Sequence, residues 1–134
     1  MNNHGIECME FSGDVPSAIG HYSHAVELDN GIVFLSGQKA WKAGTGDRIE
    51  GEIAAQTRQV LLNIETILSE LRLNWSHVTR MQCCLADPVD YAAFNEVYAS
   101  VLGIHRPART TLAGFRLRGG ALIEIISEAY RGRQ

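Results

Sequence analysis

Ala121-Leu122-Ile123-Glu124-Ile125-Ile126-Ser127-Glu128-Ala129-Tyr130 is the stretch on which the fold turns. Its length and its apolar, β-branched content predict a strand. The turn Arg116-Leu117-Arg118-Gly119-Gly120 joins it to an earlier strand over about 109–114. Side chains alternate across a strand. One face therefore holds Ala121, Ile123, Ile125, Ser127 and Ala129, nearly all small or apolar and suited to lie beneath helices. The other holds Leu122, Glu124, Ile126, Glu128 and Tyr130, a mixture of charge and large apolar groups. Such a face suits neither a dry core nor plain solvent, and it predicts a subunit interface or a pocket.

The chain leading up to this strand supplies what covers its apolar face. Residues 22–28 and 32–36 read as two strands joined by Asp29-Asn30-Gly31, because Asn-Gly is a strong hairpin signal. A turn-rich loop through Lys42-Ala43-Gly44-Thr45-Gly46-Asp47 follows, whose glycines lack the Gly-Lys-Ser/Thr of a phosphate loop. From Glu52 to about Leu71, Ile53, Val60, Ile64, Ile67, Leu68 and Leu71 recur at helical spacing. Val78 to Leu85 reads as a strand with Met81, Cys83 and Leu85 on one face. Asp87-Pro88 then opens a second helix, an N-cap followed by proline at the first helical position. Tyr91, Phe94, Val97, Tyr98 and Val101 form its apolar stripe, read as core, and Gly103 stops it after about Leu102. Strands early and late with helices between predict an α+β fold: one domain over 1–134, a mixed β-sheet with two α-helices packed on one face.

Composition narrows the function classes. The chain has 134 residues, 46% hydrophobic and 20% charged, the balance of a globular domain. A formal net charge of −3 gives no reason to expect nucleic acid, and Arg106, Arg109, Arg116 and Arg118 read mostly as a solvated edge. No apolar run approaches the ~20 residues that span a bilayer, and the polar N-terminus predicts no secretory signal. Three cysteines, an odd number, fit a reducing cytoplasm better than a disulfide framework. Cys83 and Cys84 are adjacent, so in a strand they face opposite ways and read as small apolar filler. His21 and His24 have no third ligand at a recognisable spacing, so no metal site is expected.

Two residues stand out chemically. Arg109 opens a strand-like run in His105-Arg106-Pro107-Ala108-Arg109-Thr110-Thr111, and Glu124 is a lone carboxylate in an apolar segment. A guanidinium fork grips carboxylates at two points. A carboxylate partly removed from water can accept and return a proton. If the two share a pocket, its ligand is a small organic acid. The same residues could instead form an ion pair between strands or subunits.

Four stretches together carry a resemblance: Ile19-Gly20-His21-Tyr22-Ser23-His24-Ala25, Leu35-Ser36-Gly37-Gln38, Tyr91-Ala92-Ala93-Phe94-Asn95-Glu96-Val97-Tyr98, and Pro107-Ala108-Arg109-Thr110-Thr111 through Gly120-Ala121-Leu122-Ile123-Glu124-Ile125. In order and spacing they are similar to the Rid family, the reactive-intermediate deaminases also called the YjgF family. The resemblance implies a chorismate-mutase-like fold and a homotrimer with clefts between neighbouring subunits. It implies hydrolysis of a small enamine or imine, of the 2-aminoacrylate or 2-iminobutyrate type, to a 2-keto acid and ammonia without a cofactor. Arg109 would grip the substrate carboxylate and Glu124 would position or activate water. Tyr22, Ser36, Gly37, Asn95 and the backbone at Thr111 would line the pocket. His21 and His24 stand where members often have proline and glutamine, and Thr111 where some have cysteine. Two other readings stay open: a small-acid-binding regulatory trimer without turnover, and a deaminase for a larger, aminomuconate-type substrate whose second carboxylate His21 and His24 serve.

Overall fold

A computed structural model describes residues 1–44 and 46–132; of the loop read from Lys42 to Asp47, Thr45 lies outside the described residues. The strands are β1 (Ile6–Met9), β2 (Ala25–Leu28), β3 (Ile32–Gln38), β4 (Val78–Leu85), β5 (Ala108–Ala113) and β6 (Ile123–Tyr130). The helices are α1 (Ile53–Glu70) and α2 (Tyr91–Leu102). The six strands form one sheet in the order β1-β2-β3-β6-β4-β5. All neighbours are antiparallel except β4 and β5, which run parallel on either side of α2. The mixed sheet of the expected α+β, chorismate-mutase-like fold is therefore present.

Local chemistry sets most boundaries. The Asn30-Gly31 turn joins β2 to β3, with Gly31 at φ 93°, where a side chain would be strained. Asp87 accepts from the Val89 N–H at 2.9 Å, so the second helix is entered through a short 3-10 turn, Pro88–Asp90. Gly103, at φ 65°, ends α2. Two expectations need correction. β1 was not expected, because four residues behind a polar leader are too short to show a period; it pairs with β2, Glu7 opposite Glu27. The strand read from Tyr22 begins only at Ala25. Backbone before it is diverted: the Ser36 hydroxyl donates to the Ser23 carbonyl at 2.6 Å, and Tyr22 N–H to Gly20 O at 3.0 Å.

The parity read from the last strand holds. Ile123, Ile125 and Ala129 are buried with Met81, Cys83 and Leu85 of β4 in one core with α1 and α2. From α1 that core takes Val60, Leu61, Ile64, Ile67 and Leu68, all fully buried. Each such side chain contributes about 1.5–3 kcal/mol through loss of water contact. The opposite sheet face carries no helix. There Phe34, Leu112, Ile126 and Tyr130 remain 42%, 41%, 38% and 37% exposed. Among the described residues no helix is long and apolar enough to cross a membrane.

Candidate active site

Register separates the two residues that the sequence singles out. In the parallel pair β4–β5, Arg109 is opposite Met81 and Thr111 opposite Cys83, both buried beneath the helices. Glu124 is opposite Cys84 in β4, three positions from Met81, so it projects from the other face. Within one chain Arg109 and Glu124 do not share a pocket. The expected residues fall into two groups: Arg109, Asn95 and Thr111 on the helix side of an edge strand, and Tyr22, Ser36, Gly37 and Glu124 on the open face.

The arginine group is built by α2. Arg109 donates from Nη1 to Asn95 Oδ1 at 2.9 Å and from Nη2 to the Tyr91 hydroxyl at 2.8 Å. Its guanidinium carbon stands 4.7 Å from the Tyr98 ring centre, 5.3 Å from that of Phe94 and 5.8 Å from that of Tyr91. Neutral partners thus orient the fork and cation–π contacts support it. A guanidinium has five N–H donors, so some remain for a ligand. Among the described residues no carboxylate pairs with Arg109. A cavity of about 370 Å³ opens beside it, lined by Asn95, Tyr98, Arg106 and Pro107. Sequence reading took the aromatic stripe of α2 as core alone. Phe94 and Tyr98 are buried, yet with the more exposed Tyr91 they also make the bed for the cation. Aromatic residues at i, i+3 and i+7 facing a strand arginine were the signal available. Burial and the nearby Cys83 push the Tyr98 phenol up to about 12, against the lowering effect of Arg109, so Tyr98 stays a neutral donor.

The glutamate group depends on a bulge. Leu35 pairs with Ser127 and Gln38 with Ile125, which leaves one extra residue in β3. That irregularity falls at Ser36-Gly37 and brings the backbone against Glu124. A Cβ on Gly37 would lie 2.5 Å from Glu124 Oε2, so glycine there makes room for the carboxylate. Lys39 Nζ stands 3.3 Å from the same oxygen, in a contact the sequence reading missed. A cavity of about 360 Å³ here is lined by Gly20, Tyr22, Ser36, Lys39, Arg118 and Glu124 among others. Burial raises the Cys84 thiol and Glu124 raises it further, so Cys84 stays protonated beside the site. Burial also pushes Cys83 up to about 12 in spite of Arg109.

His24 is not free for the part that the aminomuconate-type alternative gives it. It is buried, its Nδ1 accepts from the Phe11 N–H at 3.0 Å, and its Nε2 donates to the Pro16 carbonyl at 2.7 Å. Both nitrogens are spent on backbone, so His24 anchors the N-terminal segment and is not available to a second carboxylate.

The arrangement has relatives. Residues 12–130 match the family model described as Endoribonuclease L-PSP. A RutC family protein of Pyrococcus horikoshii is 39% identical over 121 residues, 90% of this chain and 95% of that one. A mouse protein named 2-iminobutanoate/2-iminopropanoate deaminase is 32% identical over 117 residues, 87% of this chain and 86% of that one. The crystal structure of YyfA from Yersinia pestis, described as a conserved Rid family protein, superposes with a TM-score of 0.86 at 35% identity, covering 93% of this chain and 98% of that one. Fold and sequence agree: the chain belongs to the Endoribonuclease L-PSP family, the YjgF/Rid family, some of whose members are named as imine deaminases.

Proposed function

We propose that the protein hydrolyses small 2-imino or 2-enamino acids to 2-oxo acids and ammonia, in clefts formed between copies of the chain. The single observation that carries this reading is Arg109: an oriented guanidinium with no carboxylate partner among the described residues and with donors to spare, beside a cavity. Such a group suits a carboxylate ligand. The half-apolar open face, Phe34, Leu112, Ile126 and Tyr130, supports its coverage by a second copy. In a cyclic trimer one copy would bring Arg109, Asn95 and the Thr111 backbone to a neighbour's Tyr22, Ser36, Gly37 and Glu124.

The chemistry balances with water alone. Arg109 holds the carboxylate and orients the C=N carbon. Glu124 takes a proton from water as its oxygen bonds to that carbon and the C=N π pair moves to nitrogen. Glu124 then returns that proton to nitrogen, giving the carbinolamine. It next takes the hydroxyl proton and passes it to the same nitrogen as the carbonyl forms and the C–N bond breaks, releasing ammonia. A 2-enamino acid enters this sequence after tautomerising to the 2-imino acid, a proton moving from nitrogen to C3. The Ser36 hydroxyl is committed to Ser23 O and acts in the wall rather than as a nucleophile.

The test is a coupled assay in which a dehydratase makes 2-aminoacrylate from serine and pyruvate release is followed. The protein should accelerate release, and Arg109→Ala should lower kcat/KM by about 100-fold. Glu124→Gln should lower the rate while 2-oxobutyrate still binds. Release no faster than in buffer would overturn the reading, and binding without turnover would leave a small-acid-binding protein.

A further inference from the structure

The reaction just described leaves two cations unexplained. Lys39 follows β3 directly, and its side chain is only 16% exposed. One of its three donors goes to Glu124. Its carbonyl accepts from Asn63 Nδ2 of α1 at 3.0 Å, which fixes the backbone from which it reaches. Arg118 lines the same cavity and makes no hydrogen bond or ion pair among the described residues. The turn that presents it is braced. Arg48 Nη1 donates to the Gly119 carbonyl, and a Cβ on Gly119 would come within 3.1 Å of the Trp41 ring. Gly119 and Gly120 both take φ 70°, a path closed to bulkier residues without strain.

The charge count is uneven. Glu124 suffices to neutralise a half-buried ammonium, and Arg118 adds a second cation at the same opening. A 2-imino acid with a short aliphatic side chain has one carboxylate, which Arg109 takes. It offers nothing to Arg118 or to the spare donors of Lys39, and it leaves them solvated beside an apolar group. A substrate with a second anionic end satisfies them.

We propose that Lys39 and Arg118 form an anion subsite beside Glu124, and that it selects 2-imino dicarboxylic acids, substrates whose distal carboxylate lies on this pair. The proposal rests on the deaminase reading for turnover but makes a separate claim about binding. The reaction is unchanged in balance: a 2-imino dicarboxylate and water give a 2-oxo dicarboxylate and ammonia. The reaction that supplies such a substrate is oxidation of an acidic amino acid at its α-carbon.

Two measurements test it. Amino-acid oxidases generate 2-iminosuccinate from aspartate and 2-iminopropionate from alanine, and competition with semicarbazide trapping gives kcat/KM for each. The ratio should favour the dicarboxylate about tenfold or more and should fall toward unity in Arg118→Met and in Lys39→Met, with Arg118→Lys retaining most of it. Using the ratio cancels any loss common to both substrates. Calorimetry then compares 2-oxoglutarate with 2-oxopentanoate, which has the same chain length without the distal carboxylate. Tighter binding of the diacid, weakened in Arg118→Met, supports the subsite even where no imine is turned over. Turnover of both imines at equal kcat/KM, or equal affinity for the two oxo acids, overturns the subsite and leaves the deaminase reading intact. A preference that survives both substitutions overturns its assignment to Lys39 and Arg118.

Discussion

Gly37 shows how much one missing methyl group can settle. Its φ is not in the left-handed region, so alanine could adopt the same backbone, but the added Cβ would fall 2.5 Å from Glu124 Oε2. The carboxylate, at the end of a flexible side chain, is what would yield. Gly37→Ala should therefore leave the unfolding free energy within about 0.5 kcal/mol of the parent while lowering kcat by about tenfold or more, read by urea titration beside the coupled assay. A loss of stability equal to the loss of rate would place Gly37 in the fold and not in the site. The residue types were legible in the sequence, since Ser36-Gly37 belongs to one of the four stretches resembling the Rid family. The reason for glycine was not, because it depends on a bulge opposite β6, and pairing register is a long-range property.

At the scale of elements, α2 and β4 hold groups that the fold keeps protonated. Burial raises Cys83 on β4 from 9.0 to about 12 and Tyr98 on α2 from 10.0 to about 12. An unfolded chain releases these protons first, so each group's contribution to stability is complete below its unfolded value and is lost as pH climbs toward 12. The urea midpoint should fall from about pH 9 upward, and Cys83→Ala should fall less steeply over that range even if it starts lower at neutral pH. Parallel curves for the two proteins would exclude Cys83 as a source of the decline. The two helices, the hairpin and β4 were legible because period and caps are local. β1 was not, since its partner strand alone gives four residues a reason to extend.

At the scale of the molecule, the separation of Arg109 from Glu124 by the sheet leads to a complementation experiment. If each cleft takes Arg109 from one copy and Glu124 from the next, Arg109→Ala and Glu124→Gln are each strongly impaired alone and regain activity when mixed. Random equal mixing of a cyclic assembly leaves about a quarter of the clefts with both groups intact, and activity should return to about that fraction after unfolding and refolding together. No recovery would mean that a single copy holds the whole site.

The α+β architecture, the core face of β6 and the unusual placement of an arginine and a glutamate can be read along the chain, because period, turn chemistry and motif are written in neighbouring residues. Contacts between distant segments set these two residues on opposite faces of the sheet, bring the aromatic residues of α2 to the guanidinium, give His24 its backbone partners, and stand Lys39 and Arg118 beside Glu124. Each of these facts depends on which strands pair and in what register. Register is set by the packing of the whole core, and no local window of the chain contains it.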